Sequence, residues 1–152
     1  VTKASLHYHF RTKAALGTRL IVRYEESFLR ALAEIDRSGA GPPEKLRRYA
    51  GIYTGVLRAN RMCLCGMLAA EYATLPKPMK EEMRHFFDEN ERWLVAVLEQ
   101  GRAAGVLKFT GAPVDTARAI VGSLEGAGRP SCDDESVAVP VRHLQSRSSF
   151  CW

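Results

Sequence analysis

Three rings stand in a row near the start of the chain, His7, Tyr8 and His9, with Lys3, Arg11 and Lys13 around them and no acid nearby. Such a mixture suits two kinds of chemistry. Imidazoles hold metals or move protons, and a basic surface interleaved with rings holds phosphates. The first use needs side chains that converge. Residues two apart on a helix project about 200° from each other, so His7 and His9 cannot chelate one ion, and no neighbouring carboxylate completes a hydrolytic metal triad. The cysteines fall at Cys63, Cys65, Cys132 and Cys151, without the paired spacing of a zinc site or a secreted disulfide framework. Cys63 and Cys65 diverge for the same angular reason, and a reducing compartment suits all four. No Ser or Cys nucleophile motif is present. These residues imply no metal, no cofactor and no enzyme, and leave phosphate contact to pursue.

Charge distribution supports that direction. The 152 residues include 22 Lys and Arg against 17 Asp and Glu, a net charge of +5. Lys3, Arg11, Lys13, Arg19 and Arg23 all precede the first carboxylate, Glu25, so this opening segment holds the whole excess. A solvated basic helix face would have the same charge, and pattern must separate the two. With 46% hydrophobic and 26% charged residues the composition is that of a soluble globular protein. No apolar run is long enough to cross a bilayer, and Val1 to Leu16 is basic and aromatic where a signal peptide needs an apolar stretch. A cytoplasmic protein without a membrane partner is expected.

The elements that must position these residues follow a helical period. Thr2 is placed to cap a helix over Lys3 to Phe10, and Thr12 to cap a longer one from Lys13 to near Ser38, with a stripe of Leu16, Leu20, Tyr24, Phe28, Leu32 and Ile35. SGAGPP ends that helix and starts the next, marked by Leu46, Tyr49, Tyr53 and Val56. Helical spacing resumes at Met62 and is broken by TLPKP. The longest helix then carries Met79, Met83, Phe86, Phe87, Leu94, Val97 and Leu98 and closes at Gly105. A last helix spans Val114 to Ala127. No segment sustains strand alternation, so the fold class is all-α. From Arg129 to Trp152 the chain turns serine-rich and aperiodic, as loop or disorder would, and as a shifted reading frame would leave it.

TKASLHYHFRTKAAL closely resembles the recognition helix and following helix start of the TetR family of bacterial transcriptional regulators. Thr2, Lys3, Ala4, Ser5, Leu6, His9, Phe10, Thr12, Lys13 and Leu16 fall in register on that motif. Leu6 and Phe10, one turn apart, can seal one face while Ala4 and Tyr8 project away from it. The resemblance implies that Lys3, Ala4 and His7 meet base edges and that Tyr8, His9 and Lys13 hold phosphates, with Thr2 and Ser5 completing the DNA-facing set. It also implies a division into a partial DNA-binding domain over 1–24, a ligand-binding and dimerisation domain over 25–128 and an irregular tail over 129–152. His7 stands where the family usually has tyrosine. The helix that braces a recognition helix would precede Val1, so about two helices of N-terminal sequence are expected beyond this chain.

For the larger domain the resemblance implies an unknown small-molecule effector. Met62, Cys63, Met67, Tyr72, Phe86 and Trp93 are the candidate lining, although the same residue types at helical spacing also build ordinary core. A buried inert thiol is the favoured reading of Cys63 over an electrophile sensor. Ala117, Ile120, Val121 and Leu124 are expected at a homodimer contact, with Gly122 and Ser123 beside them. The function expected is a ligand-responsive repressor, a homodimer on double-stranded operator DNA. The alternative is a helical ligand-binding and dimerisation module that binds no DNA.

Overall fold

The computed structural model describes residues 8–58 and 63–126. Among them there are five α-helices, one 3-10 turn and no strand: α1 (Lys13–Arg37), α2 (Pro42–Arg58), α3 (Leu64–Ala70), the 3-10 turn Tyr72–Thr74, α4 (Lys77–Ala103) and α5 (Pro113–Gly126). Tyr8 and His9 are helical and Phe10 follows them. The Thr2 cap, the helix over its first residues, Met62 and the irregular tail lie outside the described residues.

The boundaries have local causes. Thr12 is extended (φ −138°, ψ 155°), and its hydroxyl accepts a hydrogen bond from the Ala15 N–H at 3.0 Å, the cap that its position predicts. Gly39, at φ 69°, stops α1 in a conformation that side chains resist. Pro42 and Pro43 open α2, where a missing N–H is harmless. Pro76 caps α4 and Pro78 lies in its first turn. At the other end Gly105, at φ 68°, closes α4 as its position predicts, and the N–H groups of Val106 and Leu107 both reach the Gly101 carbonyl at 3.0 Å. Leu107 thereby folds onto Gly101, where a Cβ would overlap it.

α4 lies at the centre and packs against the other four helices. Its buried face runs Met79, Met83, Phe86, Asn90, Leu94, Val97, Leu98 and Gly101. Opposite, Phe28 of α1 meets Phe86 edge-on with centroids 5.2 Å apart, and meets Tyr53 and Tyr49 of α2 in the same manner at 5.9 and 6.1 Å. Each such pair adds about 1 kcal/mol to what burial of its rings contributes. Trp93 stacks on Tyr49 at 5.5 Å, and its indole N–H donates to Asp36 at 2.9 Å. Lys45 donates to the other oxygen of Asp36 at 2.6 Å, so one carboxylate ties the end of α1 to α2 and α4. Burial alone would raise the Asp36 pKa, but the bonds from Lys45 and Trp93 hold it below the usual value.

Two apolar stripes differ from their sequence-based expectation. The buried residues of α1 are Ile21, Glu25, Phe28, Leu32 and Ile35, while Leu20 is 49% exposed. The stripe is as expected from Phe28 onward and one residue displaced before it. A helix turn holds 3.6 residues, so 21–25–28 and 20–24–28 are both acceptable rows, and a carboxylate in the first disguised it. Glu25 tolerates burial because its Oε1 lies 2.6 Å from Nδ1 of His85 on α4. In α5, Ala117 and Leu124 are buried and Ile120 and Val121 are half-buried against the same core. Of the row expected at a homodimer contact, Ala117 and Leu124 are buried within the chain and Ile120 and Val121 keep part of their surface, while the exposed side of α5 carries Arg118, Ala119, Gly122 and Ser123. Arg118 is paired there with Glu91 at 2.7 Å.

The buried polar group of α4 gives a test. Asn90 accepts from the Tyr49 hydroxyl at 2.9 Å and donates to the Phe86 carbonyl at 2.9 Å. Asn90→Leu should lower the unfolding free energy in urea by about 2 kcal/mol, because a buried hydroxyl loses its acceptor. Tyr49→Phe in the Asn90→Leu background should add little, and a full further loss would show that the two residues act independently.

Candidate functional site

Two regions of the chain carry polar chemistry, and α1 joins them. The first is the end that precedes α1. Tyr8 is 85% exposed, and its ring meets that of His9 edge-on at 5.3 Å. His9, Arg11 and Lys13 are exposed as well, with Lys13 the first residue of α1. The Thr12 hydroxyl satisfies the Ala15 N–H and the Thr12 carbonyl the Leu16 N–H, while the first N–H groups of the helix have no partner within it. Arg19 and Arg23 are exposed further along the same helix. Rings, cations and free amides at one helix end suit a row of phosphates. Thr2, Lys3, Ala4, Ser5 and His7 lie outside the described residues. Beside this end is a groove of about 500 Å³ lined by Thr12, Ala14, Ala15, Thr18, Arg19, Val22 and Pro78.

The second region is a buried polar cluster at which all five helices contribute. Tyr24 of α1 donates from its hydroxyl to Sγ of Cys63, the residue that precedes α3, at 3.2 Å. Tyr53 of α2 stands beside Tyr49, their hydroxyls 3.4 Å apart, and Tyr49 reaches Asn90 of α4. Glu125 of α5 enters between Cys63 and Tyr53. It can do so because residue 66 is glycine: a Cβ there would overlap the Glu125 carboxylate. One carboxylate oxygen, Oε1, is out of reach of water and has no hydrogen-bond partner among the described residues.

Burial raises the pKa of the ionisable groups in this cluster. Burial raises the Glu125 carboxyl above its ordinary value, partly opposed by the neighbouring Cys63 and Tyr53. Burial, and then the nearby Glu125, push the Cys63 thiol up to about 11, despite the hydrogen bond from Tyr24. Burial raises Cys65 and the phenols of Tyr24, Tyr49 and Tyr53 also. A thiol so placed is a poor nucleophile, in line with the inert reading of Cys63.

Of the six candidate lining residues, the five that are described are not gathered at one place. Cys63 and Phe86 are joined through Tyr24, whose ring centre lies 5.6 Å from that of Phe86. Trp93 is half-buried at the Asp36 end of the domain. Met67 and Tyr72 are 44% and 38% exposed, with Lys80 over the Tyr72 ring. Met62 lies outside the described residues. Tyr24, Tyr53, Asn90 and Glu125 escaped the sequence reading as cluster members. Tyr24 stood in the α1 stripe as ordinary core, and Glu125 follows the apolar row of α5 with nothing to mark it as inward.

No family model matches the chain. It is similar to the HTH-type transcriptional repressor NemR of Escherichia coli, 28% identical over 135 residues that cover 84% of this chain and 66% of NemR. It is similar to the transcriptional regulator AcuR of Cereibacter sphaeroides, 29% identical over 131 residues and 60% of that protein's length. Among solved structures, the reduced form of E. coli NemR superposes with a TM-score of 0.69 at 27% identity, covering 84% of this chain and 68% of that one. A TetR-family transcriptional regulator from Agrobacterium tumefaciens superposes with a TM-score of 0.80 at 33% identity, covering 84% of this chain and 68% of that one. The chain belongs to the TetR family.

The chain spans slightly under two thirds of the curated relatives that it matches. In this TetR-family chain the two polar regions are close along one rigid element. Tyr24 lies three turns beyond Lys13 on α1, about 16 Å at 1.5 Å per residue. No described helix is long and apolar enough to cross a membrane, and no group of three potential metal ligands occurs among the described residues.

The buried carboxyl of Glu125 has a measurable signature. An acid whose pKa is raised on folding holds its proton more tightly in the native state, so it lowers stability as pH rises from its unfolded value toward its folded one. Glu125→Gln removes that dependence. In urea unfolding the variant should gain on the parent sequence between pH 4.5 and pH 8 and equal or exceed it at pH 8. A constant difference across that range would show that Glu125 does not titrate in the native cluster.

Proposed function

We propose that the chain is the effector-binding part, with the end of the DNA-binding part, of a ligand-responsive transcriptional repressor that acts as a homodimer on double-stranded operator DNA in the cytoplasm, without catalysis. Residues 1–24 belong to the DNA-binding domain in this reading, 25–128 to the ligand-binding and dimerisation domain, and 129–152 to a tail. The observation that carries it is the exposed Tyr8 and His9 pair running directly into the Thr12-capped start of α1, with Lys13 beside its free amides. The names of the relatives support it, since NemR is a repressor and AcuR a regulator.

The DNA-facing residues in this reading are Thr2, Lys3, Ala4, Ser5, His7, Tyr8, His9 and Lys13. Lys3, Ala4 and His7 read base edges, and the others hold the backbone. The effector enters beside Cys63 and Phe86, where thiol, phenol and carboxyl offer a few polar anchors in an apolar surround. Displacing Tyr24 there shifts α1, and a shift of α1 changes the spacing of two recognition helices across a dimer. On α5 the row Ala117, Ile120, Val121 and Leu124 is the dimer contact in this reading, through the half-buried Ile120 and Val121, with the small exposed Gly122 and Ser123 beside them for close approach.

Salt dependence tests the DNA reading. Binding of the full-length protein to duplex DNA should weaken steeply as salt rises. Lys13→Ala should weaken operator and random DNA alike, and make the log–log salt slope shallower by about one. His7→Ala should change sequence preference instead. An unchanged slope in Lys13→Ala removes that residue from the phosphate contacts, and equal losses on both DNAs in His7→Ala remove its base-reading role.

A further inference from the structure

Glu25 is the one charged member of the buried face of α1, with its side chain only 8% accessible. Its hydrogen-bond partner is on another helix: Nδ1 of His85 on α4, 2.6 Å from Oε1. The two partners differ sharply in exposure, since the His85 side chain is 59% accessible. The imidazole can therefore exchange protons with bulk water while the group that it neutralises cannot leave the interior without moving its helix.

Among the described residues, the charged groups acting directly on this histidine are acids. From α1 there is Glu25. From α4 there are Glu89, whose Oε1 lies 3.8 Å from Nε2, and Glu82. Arg92 pairs with the same oxygen of Glu89. From α3 the buried thiol of Cys65 lies near Glu25, and burial keeps it protonated. The hydrogen bond to Glu25, and then its charge, raise the His85 pKa above the ordinary histidine value.

We propose that His85 and Glu25 form a proton-controlled clasp between α4 and α1, closed when the imidazole is charged and loosened when it is neutral, so that rising pH releases α1. In its consequence for DNA the proposal rests on the reading above that α1 carries the DNA-binding end. The sign follows from linkage. A histidine whose pKa is raised on folding contributes stability that is fully present below its unfolded value, about 6.5, and is lost as pH rises through the folded value. Above that range Glu25 is left inside the domain against a neutral ring. Loss of the imidazole's charge weakens the contact that holds Glu25 inward, and α1 is then freer to move outward. Glu25 adjoins Tyr24 and lies three turns from Lys13, so this movement acts on both the buried cluster and the exposed end.

The experiment has two readouts. The first needs no DNA. Proton NMR of the chain should show His85 titrating above pH 6.5, and in Glu25→Gln near 6.5. His85→Gln, at an exposed position that should still fold, should reduce the excess urea stability at pH 6 over pH 8, leaving the part due to Glu125. At pH 6 it should also lower the hydrogen-exchange protection factors of the α1 amides around Glu25 to those of the unsubstituted chain at pH 8. A His85 midpoint unmoved by Glu25→Gln, or α1 exchange unmoved by His85→Gln, overturns the clasp.

The second readout is operator affinity of the full-length protein at fixed salt. Between pH 6 and pH 8 it should fall about fivefold more than in His85→Gln, within the usual range of coupling between sites. Comparing the two proteins isolates the contribution of His85. Equal pH dependence in both overturns the coupling to DNA even where binding itself is sound. A full-length protein that binds no duplex DNA overturns the functional reading instead, and the clasp is then decided by the NMR and exchange results.

Discussion

The contact between Phe28 of α1 and Phe86 of α4 is the constraint around which the domain is arranged. Tyr49 and Tyr53 of α2 pack on the first ring and Tyr24 on the second, so both long helices and α2 share one aromatic centre. α3 is held to it through the hydrogen bond of Tyr24 to Cys63, and α5 through the burial of Ala117 and Leu124. Aromatic pairs of this kind prefer defined angles, which limits sliding between helices more than an aliphatic interface would. A fixed centre permits a small domain to hold polar groups inside without losing a unique packing.

Three such groups are handled in three ways. Asn90 is satisfied on both sides by neutral hydrogen bonds, from Tyr49 and to the Phe86 carbonyl. Glu25 is satisfied by one ionisable partner that reaches in from the surface. Glu125 has one oxygen left without a partner among the described residues and is brought toward neutrality by burial. The order is one of decreasing commitment to a single state. A neutral amide pair is indifferent to pH, an acid beside an imidazole depends on a proton, and an acid with one oxygen unpartnered is open to a ligand or a change of charge.

Much of the architecture was legible in the sequence because its boundaries are made by residues with strong local preferences. Thr12, Gly39, the prolines at 42, 43, 76 and 78, and Gly105 act within their own turns. The face of each helix was legible where only apolar residues occupy it, as from Phe28 to Ile35. It was not legible at Glu25 and Asn90, since a polar residue reads as solvent-facing until its partner is known, and the partners are 60 and 41 residues away. The apolar row of α5 was seen correctly, but periodicity gives a face without saying whether another helix of the chain or another chain covers it. The candidate site was half legible: Cys63 and Phe86 by type, Tyr24 and Glu125 only by their placement.

The junction of Asp36 with Trp93 and Lys45 fixes the far end of α1, whereas the other end begins at the exposed Thr12 cap, short of the packing of Gly17 on Met79. A rigid rod held at one end turns about that end. From Asp36 to Lys13 the rod is about 34 Å long, and from Asp36 to Glu25 about half of that, at 1.5 Å per residue. Any sideways displacement at Tyr24 or Glu25 is therefore about doubled at Lys13. The fulcrum supplies mechanical gain, so a rearrangement of an ångström inside the domain moves the cationic tip by a distance comparable to the width of a hydrogen bond.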